Sequence, residues 1–504
     1  MTARRPPLSA RENDTAYLIE IGSNSVRFLT YQVLFDSQGT CRWMPLIHRE
    51  KSLCHLGRHL MEPNPTRRIL GNEDREQALK AVTTYAAHIR SVENVFVIAT
   101  AATRNAVNGP AFRAELAEAI GHDVTVIKDL QEAVLGRRGV LYGEPRAQDA
   151  VVVDLGGGSL EIQPPDDSPG VSLPIGALSL ATAIRHDSAA ARRHVQNIFA
   201  QQADMLRPLQ GKPLVLIGGM PRALAEAHLN ITEHPLPFVQ GHEMTTEATR
   251  RFFREIATNW RDGDMKTAKV STERQAALPA SAWLLAELLG HLEPCAVAFS
   301  AFGLREGFLS QEVADFGPIE RDPALFVLEC ESPDMTGADT LTRWLLPLLP
   351  KGAGRQPIER LARLAALWAT LPRREWPNLR AEAVLHEVAS KSMGSLTHEE
   401  RAFLAIGMYV AERGKPCKSP YAKSMEIWLK GRRNEVIEPT YAQAIGLGLA
   451  LAREVGAGQP ANLKGTALAY HRGQWAVTGE SRPARDESEL LQRLNRLQIR
   501  PEIG

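Results

Sequence analysis

The chain has 504 residues, enough for two to four domains of about 100–200 residues each. Its composition, 44% hydrophobic and 23% charged with a formal net charge of +1, is typical of a soluble globular protein. It carries no overall charge that would draw it to nucleic acid or to a membrane surface, so any polyanion site must be local. No stretch approaches 18 uncharged apolar residues, which argues against a membrane-spanning helix.

The five cysteines are odd in number and form no CxxC pair: Cys41, Cys54, Cys295, Cys330 and Cys417. This pattern favours reduced thiols and argues against a disulfide framework or a zinc site. The N-terminal stretch MTARRPPLSARENDT lacks the apolar core of a signal peptide, so residues 1–14 are predicted to be a disordered lead. We therefore expect a cytoplasmic protein.

Strands and helices alternate through residues 15–143, which predicts a first α/β domain. The pattern indicates a hairpin at 17–34, a strand at 42–52, a helix at 72–92, a strand at 95–99, a helix at 109–120, a strand at 124–127 and a helix at 130–140. A polar, turn-rich segment at 143–149 then marks the predicted boundary with the next domain.

A strand–turn–strand motif occurs twice. The clearer copy, AVVVDLGGGSLEI at 150–162, brings Asp154 to a glycine turn and continues into a strand that carries Glu161. The other copy, YLIEIGSNSVRF at 17–28, aligns with it without a gap at a spacing of 134 residues, so that Glu20 corresponds to Asp154. One copy alone would equally well be an ordinary tight hairpin, but two copies at domain-like separation argue against that interpretation.

Such turns suit phosphate, because glycine permits tight turns and leaves backbone N–H groups accessible. The acid pair Asp154 and Glu161 beside such a turn suits a hard divalent cation that bridges protein and phosphate oxygens. The residues predicted to contact phosphate are Gly22, Ser23, Asn24, Ser25, Gly156, Gly157, Gly158 and Ser159.

A third glycine turn follows in PLVLIGGM, with Gly218 and Gly219 ahead of a helical pattern. A helix N-terminus beside a glycine turn is a potential anion site, although the motif alone is weak. Helix-rich segments surround this strand, at 175–206 and up to about 310. Residues 144–315 are therefore predicted to be a second α/β domain, and the duplicated hairpin indicates two related halves facing each other across a cleft.

Leu- and Ala-rich helices dominate residues 316–504, which we predict to be a mostly α-helical C-terminal domain. The predicted helices are 338–349, 358–371, 379–391, 398–413 and 441–455, followed by a strand pair at 467–478 and a closing helix at 487–498. The basic segment 413–433 is interpreted either as a path for a long polyphosphate or as an ordinary solvent-exposed loop and helix face.

These segments resemble the exopolyphosphatase/guanosine pentaphosphate phosphohydrolase (Ppx/GppA) family of the actin-like, sugar kinase and Hsp70 ATPase superfamily. Further segments carry the resemblance: ATAATRNAVNGPAF at 99–112, VIKDLQEAVLGRRGVL at 126–141 and FSAFGLREGFLS at 299–310. It covers roughly residues 15 to 312 and is loose beyond 318. It implies an α/β fold of two actin-like (ribonuclease-H-like) domains flanking a cleft, plus the helical C-terminal domain, which in this family often mediates homodimers.

The resemblance also implies roles for individual residues. Glu132 matches the catalytic glutamate and is expected to be the general base; without the match it would be read as an acid favoured by a helix N-terminus. Arg104, in the ATAATR motif, is expected to clamp phosphate, since a guanidinium pairs with two phosphate oxygens. Asp154, Glu161 and Glu20 are expected to hold Mg²⁺, partly through waters, and a need for a monovalent cation stays open.

Three residues depart from the family pattern. Glu20 replaces the usual Asp, Gln131 stands where many members carry another Glu, and Met220 replaces a small hydroxyl residue. The expected base and the main ligand pair are retained. The departures bear on metal affinity and rate.

The sequence therefore supports three hypotheses of function. The first is an exopolyphosphatase that releases terminal phosphate from inorganic polyphosphate, and the second is a guanosine pentaphosphate 5′-phosphohydrolase with the same chemistry. The third is a weakly active or non-catalytic sensor of polyphosphate or (p)ppGpp, which the three departures suggest. A sugar kinase or Hsp70-like ATPase is disfavoured, because LREG at 304–307 resembles the phosphatase branch.

Overall fold

The structure is a computed structural model. It describes residues 15–36, 39–61, 64–89, 94–166, 168–313, 316–317, 322–350, 355–432, 434, 436–479 and 488–499. The predicted disordered lead at 1–14 lies outside these residues. The chain divides between Pro323 and Ala324 into two compact units, of which the first contains two α/β lobes.

The first lobe alternates strands and helices as the sequence predicts. Its strands are β1 (Thr15–Ile21), β2 (Ser25–Gln32), β3 (Leu34–Phe35), β4 (Cys41–Trp43), β5 (Leu46–Leu53), β6 (Val95–Ala99) and β7 (Thr125–Val126). Its helices are α1 (Asn72–Ala86), α2 (Ala101–Arg104), α3 (Gly109–Ile120) and α4 (Asp129–Gly143).

A five-stranded sheet in the described residues organises this lobe, in the order β5-β2-β1-β6-β7. The pairs β1–β2 and β2–β5 are antiparallel, whereas β1–β6 and β6–β7 are parallel. Alternate residues of β1 point to opposite faces. Ile19 and Ile21 therefore pack into a core that also contains Val82 of α1 and Phe112 of α3, and Glu20 points to the opposite face.

The second lobe begins with the clearer copy of the duplicated hairpin. Its strands are β8 (Val151–Leu155), β9 (Leu160–Gln163), β10 (Val171–Leu173), β11 (Leu214–Gly218), β12 (His242–Met244) and β13 (Val297–Phe299). Its helices are α5 (Ala177–His186), α6 (Ser188–Gln201), α7 (Ala203–Leu206), α8 (Gly219–Ile231), α9 (Thr246–Asn259), α10 (Asp262–Thr267), α11 (Thr272–Gln275), α12 (Leu278–Leu292) and α13 (Leu304–Glu312).

The six described strands of this lobe lie in the order β10-β9-β8-β11-β13-β12. Val151 and Val153 of β8 face a large core that includes Leu224 of α8 and Leu284 of α12. Val152 faces the other way, into a smaller core with residues of β11 and α4. Both faces of β8 are thus covered, which explains its continuous apolar run.

Helices α4 and α13 lie back to back between the two sheets. α4 packs on the second lobe's sheet through Val140. α13 contacts the first sheet, where the Tyr31 hydroxyl donates to Glu306 at 2.9 Å and the rings of Phe96 and Phe308 lie 6.0 Å apart. The helix nearest the predicted boundary at 143 therefore packs on the sheet that follows that boundary.

The second unit is mostly helical. It contains α14 (Pro323–Glu331), α15 (Met335–Leu345), α16 (Arg355–Thr370), α17 (Arg380–Ser390), α18 (His398–Arg413), α19 (Pro420–Gly431), α20 (Pro439–Val455), the hairpin β14 (Thr466–His471) and β15 (Gln474–Gly479), and α21 (Glu489–Arg496). Almost all of α18 is buried, and it crosses α20 closely at Gly407 and Gly446.

The basic segment of this unit forms α19 and its flanks. Lys418, Lys423 and Lys430 are exposed, and Arg432 pairs with Glu399 at 2.6 Å. Exposed basic side chains fit both interpretations of this segment, a path for polyphosphate and an ordinary solvent-exposed helix face. No helix in the described part of the chain is both long and apolar enough to cross a bilayer.

The glycine at the α4–α13 crossing, Gly307, is predicted to be important for stability. A Cβ at Gly307 would overlap the Leu135 carbonyl oxygen, and backbone cannot move aside as a flexible side chain can. Gly307→Ala should therefore lower the free energy of unfolding by about 1–3 kcal/mol, measured from the urea midpoint. Gly263→Ala in α10, where the added Cβ meets nothing within 4 Å, is the matched control and should be neutral or stabilising by up to about 1 kcal/mol. Equal effects of the two changes would contradict the prediction.

Candidate active site

A cleft between the two sheets collects most of the predicted site residues. Both hairpin turns, the third glycine turn and the first turns of α4 and α13 line it, around a cavity of about 190 Å³. Parallel strands end at a common sheet edge, which is why turns distant in sequence meet there.

Equivalent backbone hydrogen bonds close the two hairpin turns. The Gly22 N–H donates to the Ser25 carbonyl at 3.1 Å, and the Gly156 N–H donates to the Ser159 carbonyl at 3.0 Å. The N–H groups of Gly157 and Gly158 make no hydrogen bond to any residue that the structure describes, so they are available to an anion. In the first turn, Oδ1 of Asn24 lies 3.0 Å from Nδ1 of His55.

Strand register gives the two turns opposite charge arrangements. Asp154 faces Glu161 across the second hairpin, and Glu20 faces Arg27 across the first. The internal repeat thus places an arginine in one lobe where the other lobe has a second acid.

Glu20 is neutralised within the protein. Arg27 donates to its carboxylate at 2.9 Å, and Nε of Arg305 lies 3.8 Å away. Burial alone would raise the pKa of Glu20, but these two guanidinium groups outweigh burial and hold the pKa below its usual range. Glu20 is therefore an ionised, paired carboxylate.

Among the described residues, no arginine donates to the carboxylates of Asp154 and Glu161. The carboxylate of Asp154 makes no hydrogen bond or ion pair with the described residues, and that of Glu161 accepts a hydrogen bond from the Ser172 hydroxyl at 2.9 Å. Burial raises the pKa of Asp154 to about 6, although Arg222 acts in the opposite direction. Burial, followed by the charges of Glu132 and Asp154, raises the pKa of Glu161 to about 8.

This donor set fits a hard cation at Asp154. Magnesium prefers carboxylate oxygens and water as ligands. The raised pKa values show that the ionised form of the acid pair is disfavoured, and a bound cation would stabilise that form. Glu20 is turned towards Arg27 instead, and the oxygens of Glu20, Asp154 and Glu161 do not all lie within 4.8 Å of one another.

Glu132 lies in the first turn of α4 and lines the cleft. Arg104 donates to its carboxylate at 2.8 Å, to the Ile127 carbonyl at 2.7 Å, and also pairs with Asp129. Burial raises the pKa of Glu132 to about 7 against the opposing charge of Arg104. The structure therefore places Arg104 behind Glu132 and outside the cleft lining, and its predicted phosphate contact stays a prediction.

Four arginines that the sequence interpretation did not assign line the cleft: Arg27, Arg222, Arg274 and Arg305. Arg222 donates to the Ala301 carbonyl at 3.2 Å, and burial with Arg305 nearby lowers its pKa to about 10. Arginines that approach one another favour a multiply charged anion. The repeat could have identified Arg27 as a site residue, because Arg27 aligns with Glu161. The LREG motif could likewise have identified Arg305, which it contains.

The third glycine turn is required by geometry. Gly218 has φ of 103°, and a Cβ there would lie 2.5 Å from Oδ1 of Asp154. The chain can therefore pass directly behind the acid, and α8 begins at Gly219 with Met220 and Arg222 at the cleft.

Two related α/β lobes around a cleft of acids, arginines and glycine turns define a phosphate-handling protein of actin-like fold. Comparison of the sequence with models of known protein families identifies the family within this class. The model of the Ppx/GppA phosphatase family matches residues 33–316, more than half of the chain, so the chain belongs to that family.

Individual relatives are distant. The guanosine-5′-triphosphate,3′-diphosphate pyrophosphatase of Pseudoalteromonas atlantica is 27% identical over 146 residues, 29% of this chain, and the chain spans only 27% of that relative's length. An exopolyphosphatase from Cytophaga hutchinsonii has a TM-score of 0.51 and 19% identity, covering 60% of this chain and 100% of the other. The crystal structure of the Aquifex aeolicus family member has a TM-score of 0.49 and 24% sequence identity, and the match covers 59% of this chain and 97% of the other. The likeness to the Cytophaga structure, together with the two α/β lobes and the helical unit described above, confirms the predicted fold class.

The Glu20–Arg27 pair is predicted to be coupled. Arg27→Met removes the guanidinium nearest to the buried Glu20 carboxylate and leaves Nε of Arg305 at 3.8 Å, so we expect a loss of about 1–3 kcal/mol in the free energy of unfolding. The double variant Glu20→Met/Arg27→Met removes both charges and should recover part of this loss. A double-mutant cycle in urea measures the coupling, and strict additivity of the two changes would contradict it.

Proposed function

We propose that this protein is an exopolyphosphatase, which hydrolyses the terminal phosphoanhydride of inorganic polyphosphate. The observation that carries the proposal is that Glu132 and Asp154 line one cleft with Arg222 and Arg305, while Glu161 is buried opposite Asp154 on the neighbouring strand. Hydrolysis of a phosphoanhydride needs an oriented water, a proton acceptor and positive charge around the transferred group. The cleft supplies the proton acceptor and the positive charge.

In the proposed reaction, Arg222, Arg305 and the N–H groups of Gly157 and Gly158 hold the terminal phosphoryl group. Glu132 accepts a proton from a water whose oxygen forms the new bond to phosphorus. The bond from phosphorus to the bridging oxygen breaks. The products are orthophosphate and a polyphosphate chain that is one unit shorter. A base with a pKa of about 7 is well matched to neutral pH, and Arg104 orients it.

Asp154 and Glu161 are the proposed holders of Mg²⁺, with waters completing the coordination. When bound, the ion supplies positive charge to the phosphate oxygens. Glu20 is not included, because Arg27 and Arg305 already balance its charge.

Guanosine pentaphosphate is the second candidate substrate. The name of the Pseudoalteromonas relative favours it, and its terminal phosphoanhydride requires the same chemistry. The ratio of phosphate released from long-chain polyphosphate to that from guanosine pentaphosphate distinguishes the two.

Glu132→Gln is predicted to lower the rate of phosphate release by about 10²–10⁴-fold, because the amide cannot accept the proton. Asp129→Asn is the matched control, since Asp129 pairs with the same Arg104 but is half exposed, and we expect it to retain most activity. Phosphate release from both substrates is measured with and without magnesium. Wild-type protein that binds either substrate but releases no phosphate would overturn the catalytic proposal and favour a sensor.

Magnesium binding is predicted to depend on Asp154 and not on Glu20. Asp154→Asn should weaken Mg²⁺ binding by at least about tenfold, because it removes the carboxylate that makes no hydrogen bond or ion pair among the described residues. Glu20→Gln removes an acid that is already paired and should change the affinity by less than about threefold. Calorimetric titration with MgCl₂ alone measures both, and the opposite ranking would refute the assignment.

A further inference from the structure

A row of charged side chains leads from the floor of the cleft to its edge. Glu20 on β1 faces Arg27 on β2, and Arg27 in turn faces Lys51 on β5. Directly opposed residues on neighbouring strands share a face of the sheet, and each strand adds about 4.8 Å. β5 is the outer strand of this sheet, so Lys51 lies farthest from the floor.

Lys51 pairs with Glu273, which comes from the other lobe. Glu273 lies in the four-residue helix α11, and both residues line the cleft. The side chains are 35% and 24% exposed, so the pair lies within reach of solvent. It therefore links the two lobes at the outer strand of the first sheet.

The two cations of the row, Arg27 and Lys51, differ in where their ion-pair partners lie. Arg27 is bound to Glu20 on its own sheet, in a half-buried pair. Lys51 has Glu273 as its one partner among the described residues. Solvent-exposed ion pairs contribute little stability, so a phosphate of a bound polyanion can take the place of the Glu273 carboxylate.

We infer that Lys51 is a binding residue for the outer phosphates of a long polyphosphate, and that Glu273 occupies this subsite until the substrate displaces it. The inference rests on the proposed function and deepens it, because it names a residue that favours long chains over short ones. A chain whose terminal group lies near Arg305 reaches Lys51 only through its later units. A short phosphate stays on the floor and leaves the Lys51–Glu273 pair intact.

Direct binding tests this, with Glu132→Gln present in every protein so that no substrate is consumed. The probes are long-chain polyphosphate and pyrophosphate, titrated at several salt concentrations. Glu273→Gln should tighten long-chain binding about two- to fivefold, since it removes the competing carboxylate. Lys51→Met should weaken it to a similar extent and reduce the slope of log affinity against log salt by about 0.7–1. Pyrophosphate binding should change by less than about twofold in both variants.

Two controls carry the same charge changes elsewhere. Glu247→Gln in α9 and Lys80→Met in α1 are exposed and lie outside the cleft lining. If Lys51→Met and Glu273→Gln act no differently from these controls, or affect pyrophosphate equally, the subsite is refuted while the proposed function stands. If the parent protein with Glu132→Gln alone binds neither probe, and the wild type releases no phosphate, the proposed function itself fails.

Discussion

The close contact between α4 and α13 is the constraint on which the cleft depends. Gly139 and Gly307 let the two helix backbones touch, so that a helix on one sheet lies directly against a helix that contacts the other. Both helices begin at the cleft, and their first turns supply Glu132 and Arg305. The same packing that holds the lobes together therefore sets the distance between the proposed base and an arginine that is proposed to bind phosphate.

Duplication of the hairpin gave two similar turns with different electrostatics. One acid faces an arginine and the other faces a second acid, at equivalent positions of the repeat. Glu20 is consequently paired within the protein, whereas the pKa values of Asp154 and Glu161 stay raised because burial outweighs the opposing interactions, including the charge of Arg222 at Asp154. Under the proposed function the two related hairpins differ in role, because the acid of the first is paired with arginines whereas the acids of the second are the proposed ligands of a cation.

Local patterns predicted the elements well where one face of an element is apolar. The hairpin at 17–34, the helix at 398–413 and the strand pair at 467–478 all form close to their expected bounds. The predicted strand at 42–52 is broken into β4 and β5, and α19 was interpreted only as a basic segment. Arg222 was missed because an arginine after a glycine turn resembles any surface arginine until the fold buries it.

By itself, the sequence determined that two halves share a strand–turn–strand motif, that acids and glycines recur at fixed positions in it, and that a helical region follows. These features are local or repeated, so periodicity and alignment are enough to find them. Only the tertiary structure decided that α4 packs across the predicted boundary, that Arg104 supports Glu132, and that Lys51 meets Glu273. Such pairings depend on which surfaces pack together, and residues far apart in sequence carry no local record of it.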